Sequence, residues 1–129
     1  MAIQVNWLLE KQIIQVELSG DVQLAELQQL GNHLMAMVER TTVPLVHIVC
    51  DETKLVSLPS NVLQLSAALQ WLQHPKFGWF LFYGSEDRMI GFLMQTITSM
   101  FKLRYRHFEV QDDALDFLAS IDTSFRAVV

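Results

Sequence analysis

The stretch IVCDETKLVSLPSN, Ile48 to Asn61, follows an apolar run with a thiol (Cys50), two carboxylates (Asp51 and Glu52), an amine (Lys54) and hydroxyl or amide groups at Thr53, Ser57, Ser60 and Asn61. Three kinds of chemistry would use such a set: a cysteine nucleophile, a phosphorylated serine, or the polar loop that joins a strand to a helix. A nucleophilic thiol needs a base within hydrogen-bond reach. The nearest imidazole, His47, stands three residues before Cys50, and residues three apart on a strand point to opposite faces. Cys50 therefore reads as a structural cysteine. Ser60 is an available phosphate acceptor, yet a serine ahead of Val62, Leu65, Leu69 and Leu72 is also what starts a helix, its oxygen accepting from free backbone amides. The residues from Asp51 to Asn61 are accordingly expected to form a strand-to-helix loop, with Ser60 as the helix N-cap.

In an open parallel sheet, sites form beyond the carboxyl ends of the strands. Asp21, Asp51, Glu52, Glu86, Asp87, Asp112 and Asp113 are expected at that end, and Arg40, Lys76, Lys102 and Arg104 near the opposite one. Helix dipoles favour this arrangement without any ligand. It also sets carboxylates where a phosphate-bearing cofactor would need positive charge. One cysteine forms no internal disulfide and no thiolate zinc site, and the histidines show no ligand spacing. No metal and no cofactor is implied. A net charge of −5 disfavours nucleic acid. The basic and aromatic stretch from Phe101 to Phe108, with Lys102, Arg104 and Arg106, reads as a solvated strand face that discourages edge pairing.

The elements that must position these groups follow from apolar spacing. Ile3–Leu9 and Gln12–Leu18 are β-rich runs separated by Glu10 and Lys11, which suits an antiparallel hairpin. Ser19-Gly20-Asp21 breaks the pattern, and Leu24, Leu27, Leu30, Leu34, Met37 and Val38 then recur at helical spacing, with Asp21 expected as N-cap and an end near Arg40. Pro44 opens the strand LVHIVC, whose nearly unbroken apolar character predicts burial on both faces of a parallel sheet. A helix from Ser60 stops before His74-Pro75, GWFLFYG forms the next strand, and Glu86-Asp87 opens a third helix reaching about Leu103. YRHFEV is a short strand and DDALDFLASI a closing helix. The expected fold is α/β: a five-stranded, mostly parallel sheet with an N-terminal antiparallel hairpin and four helices. Residues 1–122 are expected to form one domain and 123–129 a tail. No apolar run reaches the roughly 18 residues of a membrane span and no signal-peptide pattern opens the chain, so a cytoplasmic location is expected.

This order of elements resembles the STAS domain, the fold of the SpoIIAA-like anti-sigma-factor antagonists, over nearly the whole chain. In that family a strand ends in an aspartate with a small polar residue two places on, an apolar pair follows, and Asp-Ser-Ser-Gly-Leu opens the second helix. Here Asp51-Glu52-Thr53 begins the matching stretch, Leu55 and Leu58 hold the apolar places, and Pro59-Ser60-Asn61-Val62-Leu63 stands at the helix start. The resemblance implies a regulatory domain switched by a kinase at the second serine. That position is Asn61, whose amide takes no phosphate, while Pro59 replaces the acid and Val62 the glycine. Ser60 is the hydroxyl nearest to it.

The function expected is thus a non-enzymatic STAS-like domain that acts by protein–protein contact, as a homodimer or as the regulator of a partner, without an intact phospho-switch. The third helix carries more apolar residues than one buried stripe requires. The interaction or switch surface is therefore expected to join Ser60 and Asn61 to Met94, Thr98 and Phe101 on the exposed part of that helix. The competing expectation is a carrier of a small apolar ligand or lipid with a SEC14-like layout, suggested by the Phe, Met and Trp content.

Overall fold

The computed structural model describes residues 3–9, 12–43 and 45–121. Glu10 and Lys11, expected as the hairpin turn, Pro44, expected at a strand start, and the expected tail from Thr123 to Val129 lie outside the described residues. In chain order the elements are β1 (Ile3–Leu9), β2 (Ile13–Asp21), α1 (Leu24–Glu39), β3 (Val46–Ser57), α2 (Val62–Ala68) with a 3-10 turn at Gln70–Gln73, β4 (Phe77–Tyr83), α3 (Arg88–Met100), β5 (Arg104–Phe108) and α4 (Gln111–Ile121). The strands form one sheet in the order β1-β2-β3-β4-β5. β1 pairs antiparallel with β2, and every later pair is parallel. The expected α/β fold with an antiparallel hairpin is the one observed.

Strand alternation sends odd and even residues of β3 to opposite faces. Ile48 and Cys50 point into a core that α1, α2 and α3 close with Leu27, Leu34, Leu65, Leu93 and Ile97. Val49 points the other way, joining Leu81 and Tyr83 of β4 beneath Ala114 and Leu118 of α4. The run Val46–Cys50 is buried throughout, the polar His47 included, as its mostly apolar sequence indicates.

Element ends depart from the sequence reading in instructive ways. β3 does not stop at Cys50 but continues to Ser57, so most of the supposed polar loop is strand. β2 likewise runs on to Asp21, paired with Ser57, through register shifts that begin after Glu17. Gly20 takes φ 66°, a left-handed conformation that suits glycine. Asp21 is therefore a strand residue and not the cap of α1: its Oδ1 accepts from Ser57 Oγ at 2.6 Å. Gln23 holds the N-cap position, its backbone N–H donating to Glu26 Oε1 at 2.9 Å. Just past the end of α1, Lys76 Nζ donates to the Thr41 carbonyl at 2.7 Å and to the Val38 carbonyl in the last turn of the helix at 3.4 Å. α3 ends at Met100, three residues before the expected Leu103, because Lys102 adopts φ 56° and Leu103 N–H turns back to the Thr98 carbonyl at 2.9 Å.

Candidate functional site

α2 and α3 both begin where parallel strands end, so their first turns share one end of the sheet. Asn61 caps α2, its Oδ1 accepting from Gln64 N–H at 3.0 Å. This corrects the expectation for Ser60: the helix begins one residue later than the sequence pattern indicates, so the amide and not the hydroxyl meets the free N–H groups. A cap of this kind stabilises a helix by about 1 kcal/mol. Ser60 is exposed one step before it. Asp87 caps α3 as the acids there suggested, its Oδ1 accepting from Met89 N–H at 2.8 Å and Ile90 N–H at 3.1 Å.

The outward surface of α3 differs from the expected one. Met94 is 8% exposed and Thr98 3%, and Thr98 Oγ1 donates back to the Met94 carbonyl at 2.8 Å. Phe101 is half-buried against the core. The buried residues Ile90, Leu93, Met94 and Ile97 define the helix phase, and residues out of that phase face solvent. Those are Met89 (58% exposed), Phe92 (59%) and Met100, and Leu63 at the start of α2 is 78% exposed. The sequence held this signal: once Ile90 is placed inward, the 3.6-residue period sends Met89 and Phe92 out.

The carboxylates at this end differ in their partners. Asp51 Oδ1 accepts from Thr53 N–H at 2.9 Å and Thr53 Oγ1 at 2.6 Å, which holds the irregular stretch of β3 opposite the β2 register shift. Glycine is required at Gly84, where φ is 98° and a side chain would collide with Thr53. Glu52 differs from the rest: it is 2% exposed, and its Oε2 has no hydrogen-bond partner among the described residues. Burial, and then the neighbouring Asp51, raise its pKa to about 7. The sequence reading placed Glu52 on the acidic rim and missed its burial, because the strand was ended too early. Among the described residues no three His, Cys, Asp or Glu side chains come together to hold a metal.

Cys50 and His47 stand on opposite faces of β3, as alternation predicted. His47 Nδ1 accepts from Trp79 N–H at 2.9 Å, on the face away from the Cys50 thiol. Burial, with Glu52 and Asp51 adding to it, pushes that thiol well above its usual pKa, which keeps it protonated and unreactive. The apolar cavity between the sheet and α1–α3, walled by residues including Cys50, Trp71 and Met94, measures about 50 Å³. Ordinary small-molecule sites enclose about 300 Å³ or more, so this cavity is smaller than such sites.

No protein-family model matches the sequence, and no curated protein matches it. Solved structures do. A DUF3478-family protein from Shewanella loihica, described as having a SpoIIAA-like fold, superposes with TM-score 0.65 at 17% identity, covering 91% of this chain and 92% of that one. The anti-sigma factor antagonist SpoIIAA in its unphosphorylated form gives TM-score 0.63 at 13% identity, over 94% of this chain and 99% of that one. The chain has a SpoIIAA-like fold. The phosphorylated form of SpoIIAA, described as a Bacillus cell fate determinant, gives TM-score 0.57 at 12% identity, over 91% and 99%. At these identities the likeness is one of fold. No helix among the described residues is long and apolar enough to cross a membrane.

Proposed function

We propose that this protein is a non-enzymatic interaction domain that binds another protein through the surface formed by the starts of α2 and α3. The observation that carries the reading is the exposure of Leu63, Met89 and Phe92 at one end of the sheet. Exposed apolar side chains that form one patch bordered by charge mark contact surfaces, and we take these three as such a patch. Asp51, Glu86, Asp87, Asp112 and Asp113 lie at the same end, with Lys54 and Arg88 as cations there. The partner that fits is a protein with an apolar patch rimmed by basic residues. The relatives in fold named as anti-sigma factor antagonists support a regulator of that type as the class of partner. Ser60 and Asn61 border the surface, and the amide at Asn61 supports contact without a phosphate switch.

A photo-crosslinking residue at Phe92 tests this. It is expected to trap one protein in cells, while the same probe at Asn32, exposed on α1, traps none. The trapped protein, purified, should bind Phe92→Asp at least about tenfold more weakly than the unaltered chain, a loss of about 1.4 kcal/mol. Equal capture at both positions, or equal affinity of the variant, would overturn the reading.

A further inference from the structure

The sheet has two outer edges, β1 and β5, and they are built differently. β5 carries Arg104, Arg106 and His107 in exposed positions, and Arg106 lies over the Phe117 ring at 4.7 Å. Charges of this kind block the addition of another strand. β1 is the longer of the two, and Ile3–Leu9 contains no charged residue and no proline. Among the described residues nothing pairs with it on the side away from β2. A groove of about 430 Å³ runs beside it, lined by Ile3, Gln4, Val5 and Asn6 of β1 and by Glu26, Gln29, Leu30 and His33 of α1.

We propose that β1 is a self-association edge: a second copy of this chain adds its own β1 antiparallel to the first, giving a symmetric dimer with one continuous sheet. The occupant must be an uncharged extended segment with apolar groups at alternate positions, and β1 itself meets that description. A twofold axis through such a pair puts residues of like parity opposite each other. Ile3, Val5 and Trp7, half-buried toward α1, then meet their counterparts on the helix side, and the exposed Gln4 and Asn6 meet theirs on the other. No like charges oppose within the strands. α1 follows β2 and returns to parallel β3, so it runs in the direction of β1. The axis reverses the second α1 relative to the first, turning the Glu26 carboxylate of one copy toward the His33 imidazole of the other, an acceptor against a donor. This edge is remote in the sheet order from β4 and α3, so the inference stands apart from the α2–α3 reading.

Sedimentation velocity on the full chain, from about 1 µM to about 1 mM, is expected to show a monomer–dimer equilibrium. Gln4→Lys/Asn6→Lys changes two exposed positions and should raise the dimer Kd at least about a hundredfold with an unchanged circular dichroism spectrum. Phe92→Asp should leave the dimer intact, which separates this edge from the partner surface. Cysteine trapping needs no destabilising change, because the native Cys50 is buried. Of Gln4→Cys alone, Asn6→Cys alone and the two mixed, one should give a covalent dimer on mild oxidation. A monomer at every concentration, a lysine variant that dimerises as well as the unaltered chain, loss of the dimer in Phe92→Asp, or no link in any cysteine sample would each overturn the proposal.

Discussion

The two faces of the sheet bury polar groups on opposite terms. On the face under α1, α2 and α3 the core is almost wholly apolar, and Glu52 sits at its end with no partner for Oε2 among the described residues. On the other face only α4 covers the sheet, and the buried polar groups there are bonded in sequence: Gln111 Nε2 donates to Gln15 Oε1 at 3.0 Å, and Gln15 Nε2 donates to Tyr83 Oη at 2.8 Å. Tyr83, bonded to Gln15, and Glu52, whose Oε2 has no partner among the described residues, both have pKa values raised first by burial, but only Tyr83 has a hydrogen bond that opposes the rise. The comparison separates how deeply a group is buried from whether it is bonded.

Cavity formation measures the thickness of the two layers most strongly. Ile97 on α3 and Leu118 on α4 are both almost fully buried. Urea unfolding is expected to show Ile97→Ala costing about 4 kcal/mol and Leu118→Ala about 2–3 kcal/mol, because the thinner layer relaxes around its cavity. Equal losses would mean that the two layers are equally rigid.

Glu52 comes next. Its folded pKa of about 7 lies above the ordinary 4.5, so the native state favours the neutral acid and ionisation works against folding. Stability should therefore be fullest below the ordinary value, fall as pH rises between the two, and level off above about 7, a total loss of about 3 kcal/mol from this group. Glu52→Gln should stabilise the protein by about 2–3 kcal/mol at pH 8 and by little at pH 4, measured by denaturant titration at both. A variant that is no more stable at pH 8 would show that the carboxylate is solvated in the folded protein.

The bonded network gives the smallest and opposite effect. Gln15→Leu removes the donor to Tyr83 and the acceptor for Gln111, and should destabilise the fold by about 1–2 kcal/mol in thermal or chemical unfolding. Stabilisation by this substitution would erase the distinction between the faces.

Much of this architecture was legible in the residue pattern. Helical spacing identified α1 and α3, continuous apolar runs identified the buried part of β3 and β4, and alternating cations marked β5 as a protected edge. The site was less legible. Asp51 to Ser57 looked like a loop because most of its side chains are polar, yet its backbone stays paired to β2, and pairing depends on a strand distant in sequence. The choice between Ser60 and Asn61 as cap turned on a single residue, and both types accept backbone hydrogen bonds well. Placing Met94 and Thr98 outward followed from reading α3 without its phase, which its apolar spacing carries once Ile90 is set inward.

Local chemistry by itself determined the kinds of elements, their order and the separation of Cys50 from His47, since backbone periodicity depends on neighbours along the chain. Tertiary structure alone decided that one of two adjacent carboxylates, Asp51, meets solvent and a hydroxyl while Glu52 is buried. Burial is a property of what packs above a residue, and in this chain what packs above β3 arrives from segments far from it in sequence.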